Sequence, residues 1–311
     1  MSNESASLRE RAIAEVHGGG VTPAATAASD GAPHTSVVPE QPIVVNDADA
    51  VLASFRLRDL WAYRELLLFL TWRDIKVRYK QTAIGATWAI IQPLFIVFIF
   101  AVFFGLLVGV PTEGMPFVVF YFCGLLPWTF FSNAVTQSSM SLVSNANLIT
   151  KVYFPRTIIP AAAVGAGLVD LLISSIILIG LATYYGLGLT PAALMLPVLI
   201  GLTVLLSLAL GMWLAALTVK YRDVRHALPF VLQIWMFITP IIYPLEVVPV
   251  KWRWLMFLNP LTGIVEGMRS ALMGRGFDWY ALSFSAFVTL MLLFAAAYAF
   301  QRIERSFADL I

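Results

Sequence analysis

The chain has 311 residues, of which 59% are hydrophobic and 12% are charged. So apolar a composition excludes an ordinary soluble globular protein and predicts a polytopic membrane protein. The formal net charge of +2 is too small to indicate nucleic acid as a partner.

The first 50 residues are rich in Ala, Ser, Gly, Pro and Thr. This composition offers too little apolar surface to bury a core, so residues 1–50 are predicted to form a disordered cytoplasmic tail. Residues 51–85 are predicted to form an amphipathic interface segment, and residues 86–311 are predicted to form a transmembrane domain.

The end of the interface segment has the pattern of a helix that lies in the membrane surface. Its apolar side chains recur on one helical face: Leu68, Trp72, Ile75 and Tyr79. Its basic side chains fall on another face: Arg73, Lys76 and Lys80. An apolar face beside a basic one suits the boundary between acyl chains and headgroups. After Lys80 the next charged residue is Glu113, and the uncharged stretch between them exceeds the roughly 20 apolar residues that cross a hydrocarbon core.

Six apolar stretches predict six transmembrane helices. They cover about residues 86–110, 117–135, 157–185, 192–219, 227–243 and 280–300. A polar loop rich in Ser and Asn is predicted at residues 136–151. The third span contains one ionisable residue, Asp170, and a charge at such a place costs at least about 2.5 to 3.5 kcal/mol. Asp170 is therefore expected to face protein, either in a structural role, protonated or bonded to a neighbouring span, or in the wall of a conduit.

Residues 245–277, between the fifth and sixth spans, have a different pattern. Two apolar helical runs of about 10 to 13 residues are separated by Asn259 and Pro260, and the second is stopped by Gly274 and Gly276. These runs are too short to cross a core of about 30 Å, so they predict re-entrant or interfacial helices. Their basic residues are expected to meet either lipid headgroups or an anionic polymer: Lys251, Arg253, Arg269 and Arg275.

The distribution of Lys and Arg predicts the orientation in the membrane. If the N-terminus is inside, the segments on the inner side hold all but four of the 20 basic residues. The remaining four all lie in residues 245–277. By the positive-inside rule, both termini are expected in the cytoplasm.

The sequence shows no pattern for catalysis. It contains neither a phosphate-binding GxxxxGK[ST] loop nor an HExxH, CxxC or GxSxG motif. The single cysteine, Cys123, offers neither a disulfide partner nor the spacing of a metal site. We therefore predict a transport subunit that is not an enzyme, with no catalytic residues, no cofactor and no metal of its own. Its energy source is expected outside the chain, and a channel that needs no ATP is the alternative.

Four stretches resemble the ABC-2 type permeases that export polysaccharides. They are RYKQTAIGATWAIIQP, GLLPWTFFSNAV, NANLITKVYFPR and YRDVRHALPFVLQIWMFITPIIYP. The resemblance covers about residue 60 to the C-terminus and leaves out the N-terminal tail. It implies a homodimeric permease of the bacterial inner membrane that exports a lipid-linked polysaccharide, such as O-antigen or a capsule. Two copies of a separate ATP-binding-cassette subunit would bind ATP and Mg. An exporter of a drug or a lipid is the alternative within the family.

The resemblance also implies roles for three sets of residues. The loop that docks on the ATPase comprises Asn145, Leu148, Lys151, Val152, Tyr153, Phe154, Pro155 and Arg156. The candidates for lining a channel, where aromatic rings would stack on sugar C–H faces, are Trp88, Gln92, Phe95, Tyr121, Trp128 and Asp170. The outer gate helices carry Lys251, Trp252, Arg253, Trp254, Asn259, Pro260 and Arg269. Leu148, Val152 and Tyr153 are expected on one face of a short helix that fits a cleft of the partner.

Overall fold

A computed structural model describes residues 62–80, 87–152, 154–188 and 190–304. The predicted tail, the first part of the interface segment and Tyr153 lie outside these described residues. Within them, every regular element is a helix and there is no strand.

The described ranges contain eleven α-helices joined by short turns. They are α1 Arg64–Lys80, α2 Trp88–Phe100, α3 Phe117–Ser144, α4 Ala146–Lys151, α5 Ile158–Ala166, α6 Leu168–Tyr184, α7 Leu196–Lys220, α8 Val224–Ile238, α9 Val250–Phe257, α10 Pro260–Met273 and α11 Trp279–Glu304. A π-helical stretch, Ala101–Leu107, continues α2, and short 3₁₀ turns at Pro191–Met195 and Leu245–Val247 precede α7 and α9.

Five stretches of the described chain are long and apolar enough to cross a membrane. They are Trp88–Leu107, Phe117–Ser144, Ile158–Tyr184, Pro191–Lys220 and Trp279–Phe300. This confirms the prediction of an all-α, multi-pass membrane protein. The predicted fifth span corresponds to the shorter helix α8, which ends at Ile238 because Pro240 forces Thr239 into an extended conformation.

The prediction of a polar loop at residues 136–151 is wrong. α3 continues to Ser144, and α4 follows after the single residue Asn145. Hydroxyl groups on this part of α3 bond back to carbonyls three or four residues earlier, as Thr136 Oγ1 does to Ser132 O at 2.7 Å and Ser141 Oγ to Ser138 O at 2.7 Å. The helix therefore satisfies its own polar side chains, which is why a Ser-rich sequence remains helical.

α3 is the central helix of the fold, and α2 lies at its edge. In the most apolar window of each span, 78% of the α3 residues are buried, against 17% for the stretch formed by α2 and its π-helical continuation. The main core around α3 includes Phe120, Tyr121 and Phe131. A second core, with Leu142, Ile158 and Phe300, lies where α3 ends and α5 begins. α2 therefore leaves most of its apolar surface uncovered by its own chain.

The structure has two recognisable ends, one at each end of α3. At one, here called the Glu113 end, Arg275 Nη1 donates to Glu113 Oε2 at 2.9 Å, which joins the turn before α3 to the turn after α10. At the other, the Asn145 end, Arg73 Nη2 of α1 donates to Asn145 Oδ1 at 2.9 Å. α1 also lies close to α5, since a Cβ on Gly165 would come within 3.1 Å of Thr71 Oγ1.

Candidate functional site

A cavity of about 430 Å³ opens between the end of α1 and helices α2, α3, α5 and α6. We call it the Asp170 cavity. Its polar lining consists of Arg78, Tyr79, Gln92, Thr129, Asn133, Asp170 and Ser174. Polar and ionisable side chains are rare in membrane spans and normally face a protein interior or a water-filled space.

Asp170 is held by the last turn of α1. Arg78 Nη1 donates to Asp170 Oδ2, and the Tyr79 hydroxyl donates to Asp170 Oδ1. Burial, followed by the bond to Asp170 and the charge of that carboxylate, raises the pKa of Tyr79 to about 12. Tyr79 therefore remains a protonated donor at physiological pH. Both oxygens of the carboxylate are thus engaged, and its charge is paired.

The predicted channel-lining residues fall into three groups. Trp88, Gln92 and Asp170 lie together in the Asp170 cavity, whereas Phe95 is exposed on α2 outside it. Tyr121 and Trp128 are buried in the main core, so neither reaches a surface of this chain. Tyr121 and Trp128 lie on the central helix, where aromatic side chains pack against neighbouring helices instead of lining a channel. The sequence does not reveal which helix is central.

Five polar residues of the cavity are not among the channel-lining residues that the sequence predicts. Thr129 and Asn133 lie one helical turn apart on α3, and Ser174 lies one turn after Asp170 on α6. Their spacing of four residues puts polar groups on one face of an otherwise apolar helix, which was the available signal. Arg78 and Tyr79, the remaining two, belong to the interface segment, for which the sequence predicts contact with the membrane surface only.

The predicted docking loop is only partly at the surface. Lys151 and Val152 are exposed, but Leu148 packs against the second core and Phe154 is buried within it. The apolar face predicted for docking therefore serves two purposes: Leu148 anchors α4 to its own chain, and Val152 is left exposed for a partner. Asn145 is also engaged: it accepts from Arg73 and donates through Nδ2 to Ser141 O at 2.8 Å. Pro155 and Arg156 are half-buried, and Tyr153 lies outside the described residues.

In residues 245–277, the predicted break between two short helices is present. Asn259 caps α10, since its Oδ1 accepts from Leu261 N at 3.1 Å, and Pro260 occupies the first helical turn. The amide of Asn259 also donates to Thr239 Oγ1 at 2.8 Å, which ties α10 to the end of α8. Gly274 ends α10 in the left-handed conformation, with φ of 63°.

The basic residues of this segment have different surroundings. Arg253 donates to the carbonyls of Glu246 and Val248, while Lys251, Trp252 and Trp254 are exposed. The expectation that Arg269 meets headgroups or polymer is wrong. Arg269 is buried: it pairs with Glu266 at 2.8 Å, donates to Ile241 O at 3.0 Å and lies over the Phe120 ring at 3.7 Å. These neighbours replace the water that a headgroup-facing arginine would keep.

Comparisons with known proteins identify the family of this chain. A family model described as "ABC-2 type transporter" matches residues 65–273. The chain is 31% identical to an O-antigen export system permease protein, RfbA, of Myxococcus xanthus, over 82% of this chain and 98% of the relative. It is 28% identical to RfbA of Klebsiella pneumoniae, over 79% and 95% of the two chains. It is also 27% identical to the polysialic acid transport protein KpsM of Escherichia coli, over 71% and 87%. The chain therefore belongs to the ABC-2 type transporter family.

Proposed function

We propose that this chain is the transmembrane permease subunit of an ABC exporter that moves a lipid-linked polysaccharide across the bacterial inner membrane. The observation that carries the proposal is the similarity to an O-antigen export permease along nearly the whole of that relative. The Asp170 cavity supports it, because hydrogen-bonding groups beside an exposed indole suit a sugar chain better than a purely apolar cargo. O-antigen or a capsule-like polymer is the expected class.

The energy comes from a partner chain that binds ATP and Mg. The complex contains two copies of this chain and two ATP-binding-cassette subunits. The exposed face of α2 supports a second copy, because Ile91, Phe95 and Phe98 are uncovered by their own chain. A path for a polymer between two copies would then run along α2 and the mouth of the Asp170 cavity.

The chain crosses the membrane six times, with α8 as the fifth crossing and both termini in the cytoplasm. α8 has 15 residues and is about 22 Å long, and residues 239–243 extend its path. The Asn145 end is cytoplasmic and the Glu113 end is external, in agreement with the positive-inside rule. A reporter fused at Glu113 should be external and one after Ile311 cytoplasmic; the same side for both would reject the arrangement.

α9 and α10 close the outer mouth. The exposed Trp252 and Trp254 suit a helix anchored at the interface. α10 packs on the halves of other helices nearest the Glu113 end: a Cβ on Gly263 would lie 2.6 Å from Ala281 O, and one on Gly267 would lie 2.9 Å from Leu199 Cδ2. Such close packing holds the gate in the outer half of the molecule.

α4 couples ATP hydrolysis to the membrane domain through α1. Its exposed residues, Lys151 and Val152, contact the ATPase, and the bond from Asn145 to Arg73 passes movement of α4 to α1. Five residues further along α1, Arg78 donates a hydrogen bond to Asp170 in the cavity. α1 therefore joins the docking site to the proposed substrate path by two polar contacts.

The coupling role is tested by Val152→Asp, which puts a charge on the docking surface without touching either core. We expect normal membrane insertion, weakened binding to the ATPase subunit in pull-down, and loss of export in proportion. The matched variant Tyr221→Asp alters the other inner loop, where Tyr221 is equally exposed. If Val152→Asp bound the ATPase normally and Tyr221→Asp did not, docking would have to be assigned to the loop after α7.

The exporter role itself is tested by deleting the gene for this chain and staining surface polysaccharide. We expect the surface polymer to disappear while lipid-linked polymer accumulates in the cytoplasm, and wild-type chain to restore export only with a working ATPase partner. A surface polymer that persisted after deletion would reject the function.

A further inference from the structure

Three polar side chains in the Asp170 cavity have no partner in the described chain. The amides of Gln92 and Asn133 and the hydroxyl of Ser174 all line the cavity, and none of them makes a hydrogen bond within the described residues. Thr129, by contrast, bonds back to Leu126 O at 3.2 Å. Among the described residues, the cavity therefore offers donors and acceptors that have no protein partner and are available to water or a ligand.

Asn133 and Asp170 lie well inside their spans. Asn133 is eleven residues from the end of α3 at Ser144, and Asp170 is twelve residues from the start of α5 at Ile158. At about 1.5 Å per residue, both lie roughly 16 to 18 Å along their spans. Hydrocarbon offers no hydrogen bond at that depth, so the unpaired amide of Asn133 indicates a hydrated cavity that admits polar cargo.

The charges of the cavity cancel. Arg78 is paired with Asp170, and among the described lining residues there is no other Asp, Glu, Lys, Arg or His. An anionic ligand would meet the Asp170 carboxylate and an arginine that is already occupied. A cationic ligand would meet Arg78. The surroundings therefore favour an uncharged ligand that uses hydrogen bonds.

Trp88 supplies an apolar surface at the same place. It lines the cavity and is 47% exposed, so part of its indole is free for contact. The electron-rich face of an indole attracts the C–H groups that cover one side of a sugar ring. The cavity volume, about 430 Å³, lies in the range of small-molecule sites and fits a short piece of sugar chain, not a folded polymer.

We propose that the Asp170 cavity binds an uncharged sugar unit of the exported polymer. Trp88 stacks on the ring, the amides of Gln92 and Asn133 bond its hydroxyl groups, and the Arg78–Asp170 pair excludes sugars that carry a carboxylate. This inference rests on the proposed function, and it adds a preference for neutral over acidic units. An isoprenoid tail is the competing occupant, and the polar lining disfavours it.

The test uses thiol labelling of the purified complex with its ATPase. In a Cys123→Ser background, Asn133→Cys is treated with a charged methanethiosulfonate reagent, with Ser174→Cys as a second, more conservative probe. Gly188→Cys, in the turn after α6, is the control, since Gly188 is exposed, does not line the cavity, and a Cβ there meets no atom within 4 Å. The ligands are fragments of the cell's own surface polysaccharide, released by mild acid and separated by anion exchange into neutral and acidic pools, together with undecaprenyl phosphate.

We expect the reagent to label both cavity thiols and the control. The neutral pool, at about tenfold above its Kd, should slow labelling of the cavity thiols about tenfold and leave the labelling rate of Gly188→Cys unchanged. Failure of both cavity thiols to react would show a dry cavity and overturn the proposal. So would protection only by the acidic pool, protection only by undecaprenyl phosphate, or a polymer that contains no uncharged sugar.

Asp170→Asn tests directly whether the Arg78–Asp170 pair excludes acidic sugars. It leaves Arg78 without its partner, so the acidic pool, or disialic acid as a defined probe, should gain about tenfold in protection relative to the neutral pool. An unchanged ratio would contradict the role given to the pair. If gene deletion abolishes surface polymer but no fragment protects the cavity, this inference fails and the exporter function stands.

Discussion

Two arginine–carboxylate pairs of this chain lie in opposite surroundings. The side chains of Arg78 and Asp170 are 28% and 36% exposed and face the Asp170 cavity. Those of Arg269 and Glu266 are 3% and 19% exposed, and the guanidinium is covered by Phe120. The same two chemical groups are therefore open to a ligand at one site and enclosed by protein at the other.

The difference shows that surroundings, more than charge, decide what an ion pair in a membrane protein does. The enclosed pair joins α10 to α3 and to Ile241, where removal of one partner leaves a buried charge. The open pair joins α1 to α6, where water replaces a lost partner and the loss of stability is small. One pair is expected to maintain the fold and the other to serve transport.

The largest effect is expected from Arg269→Met. It leaves Glu266 without its partner, and the free energy of unfolding should fall by about 3–5 kcal/mol. Chemical unfolding of the purified protein in detergent measures this loss. The double variant Arg269→Met/Glu266→Leu removes both charges and should be more stable than the single variant. If the single variant lost less than about 1 kcal/mol, the pair of Arg269 and Glu266 would not maintain the fold.

A smaller effect is expected from Gly165→Leu, which disturbs the open pair indirectly. The new Cβ would lie 3.1 Å from Thr71 Oγ1, so α1 must shift on α5 at a cost of about 1–3 kcal/mol. Because α1 carries Arg78, export should fall as well. Gly180→Leu on α6 is the matched control, since a Cβ there meets no atom within 4 Å. Equal behaviour of the two variants would contradict the packing of α1 on α5.

Asp170→Asn should change stability little and transport strongly. The pair is partly exposed, so the loss of unfolding free energy is expected to be about 1 kcal/mol or less. Surface polymer should fall in cells that contain normal amounts of the variant protein. If Asp170→Asn left both protein level and export unchanged, the charge would have no function; if it destabilised as much as Arg269→Met, the two pairs would not differ.

The smallest effect is expected from Tyr121→Phe. The Tyr121 hydroxyl is buried and has no hydrogen-bond partner within the described chain, so its removal should leave stability unchanged or raise it by up to about 1 kcal/mol. Export should also be unchanged, because Tyr121 lies in the core and not in the cavity. If a stable Tyr121→Phe protein were defective in transport, Tyr121 would have to be assigned to the substrate path and not to the core alone.

The sequence predicted the elements better than their contacts. The spans followed from runs of apolar residues, and Asn259, Pro260 and Gly274 marked the break and the end of α10 because capping depends on local chemistry. The Ser-rich end of α3 was misread, since hydroxyl groups that bond back to their own helix resemble a loop in composition.

The site was predictable only in part. Asp170 was singled out because a lone acid in a span needs a reason, but its partner Arg78 is 92 positions away and only the tertiary fold brings them together. Tyr121 and Trp128 were placed in a channel, and Arg269 at the surface, because one sequence does not show which helix the others surround. Burial on α3 and α10 decided all three.

The most direct test of the account is transport in vesicles that contain this chain, its ATPase partner and fluorescent lipid-linked polymer. Polymer should cross the membrane only when both subunits and ATP are present, and Asp170→Asn should slow the transfer while Tyr121→Phe leaves it unchanged. Equal transfer without the ATPase or without ATP would contradict the account and identify the chain as a channel.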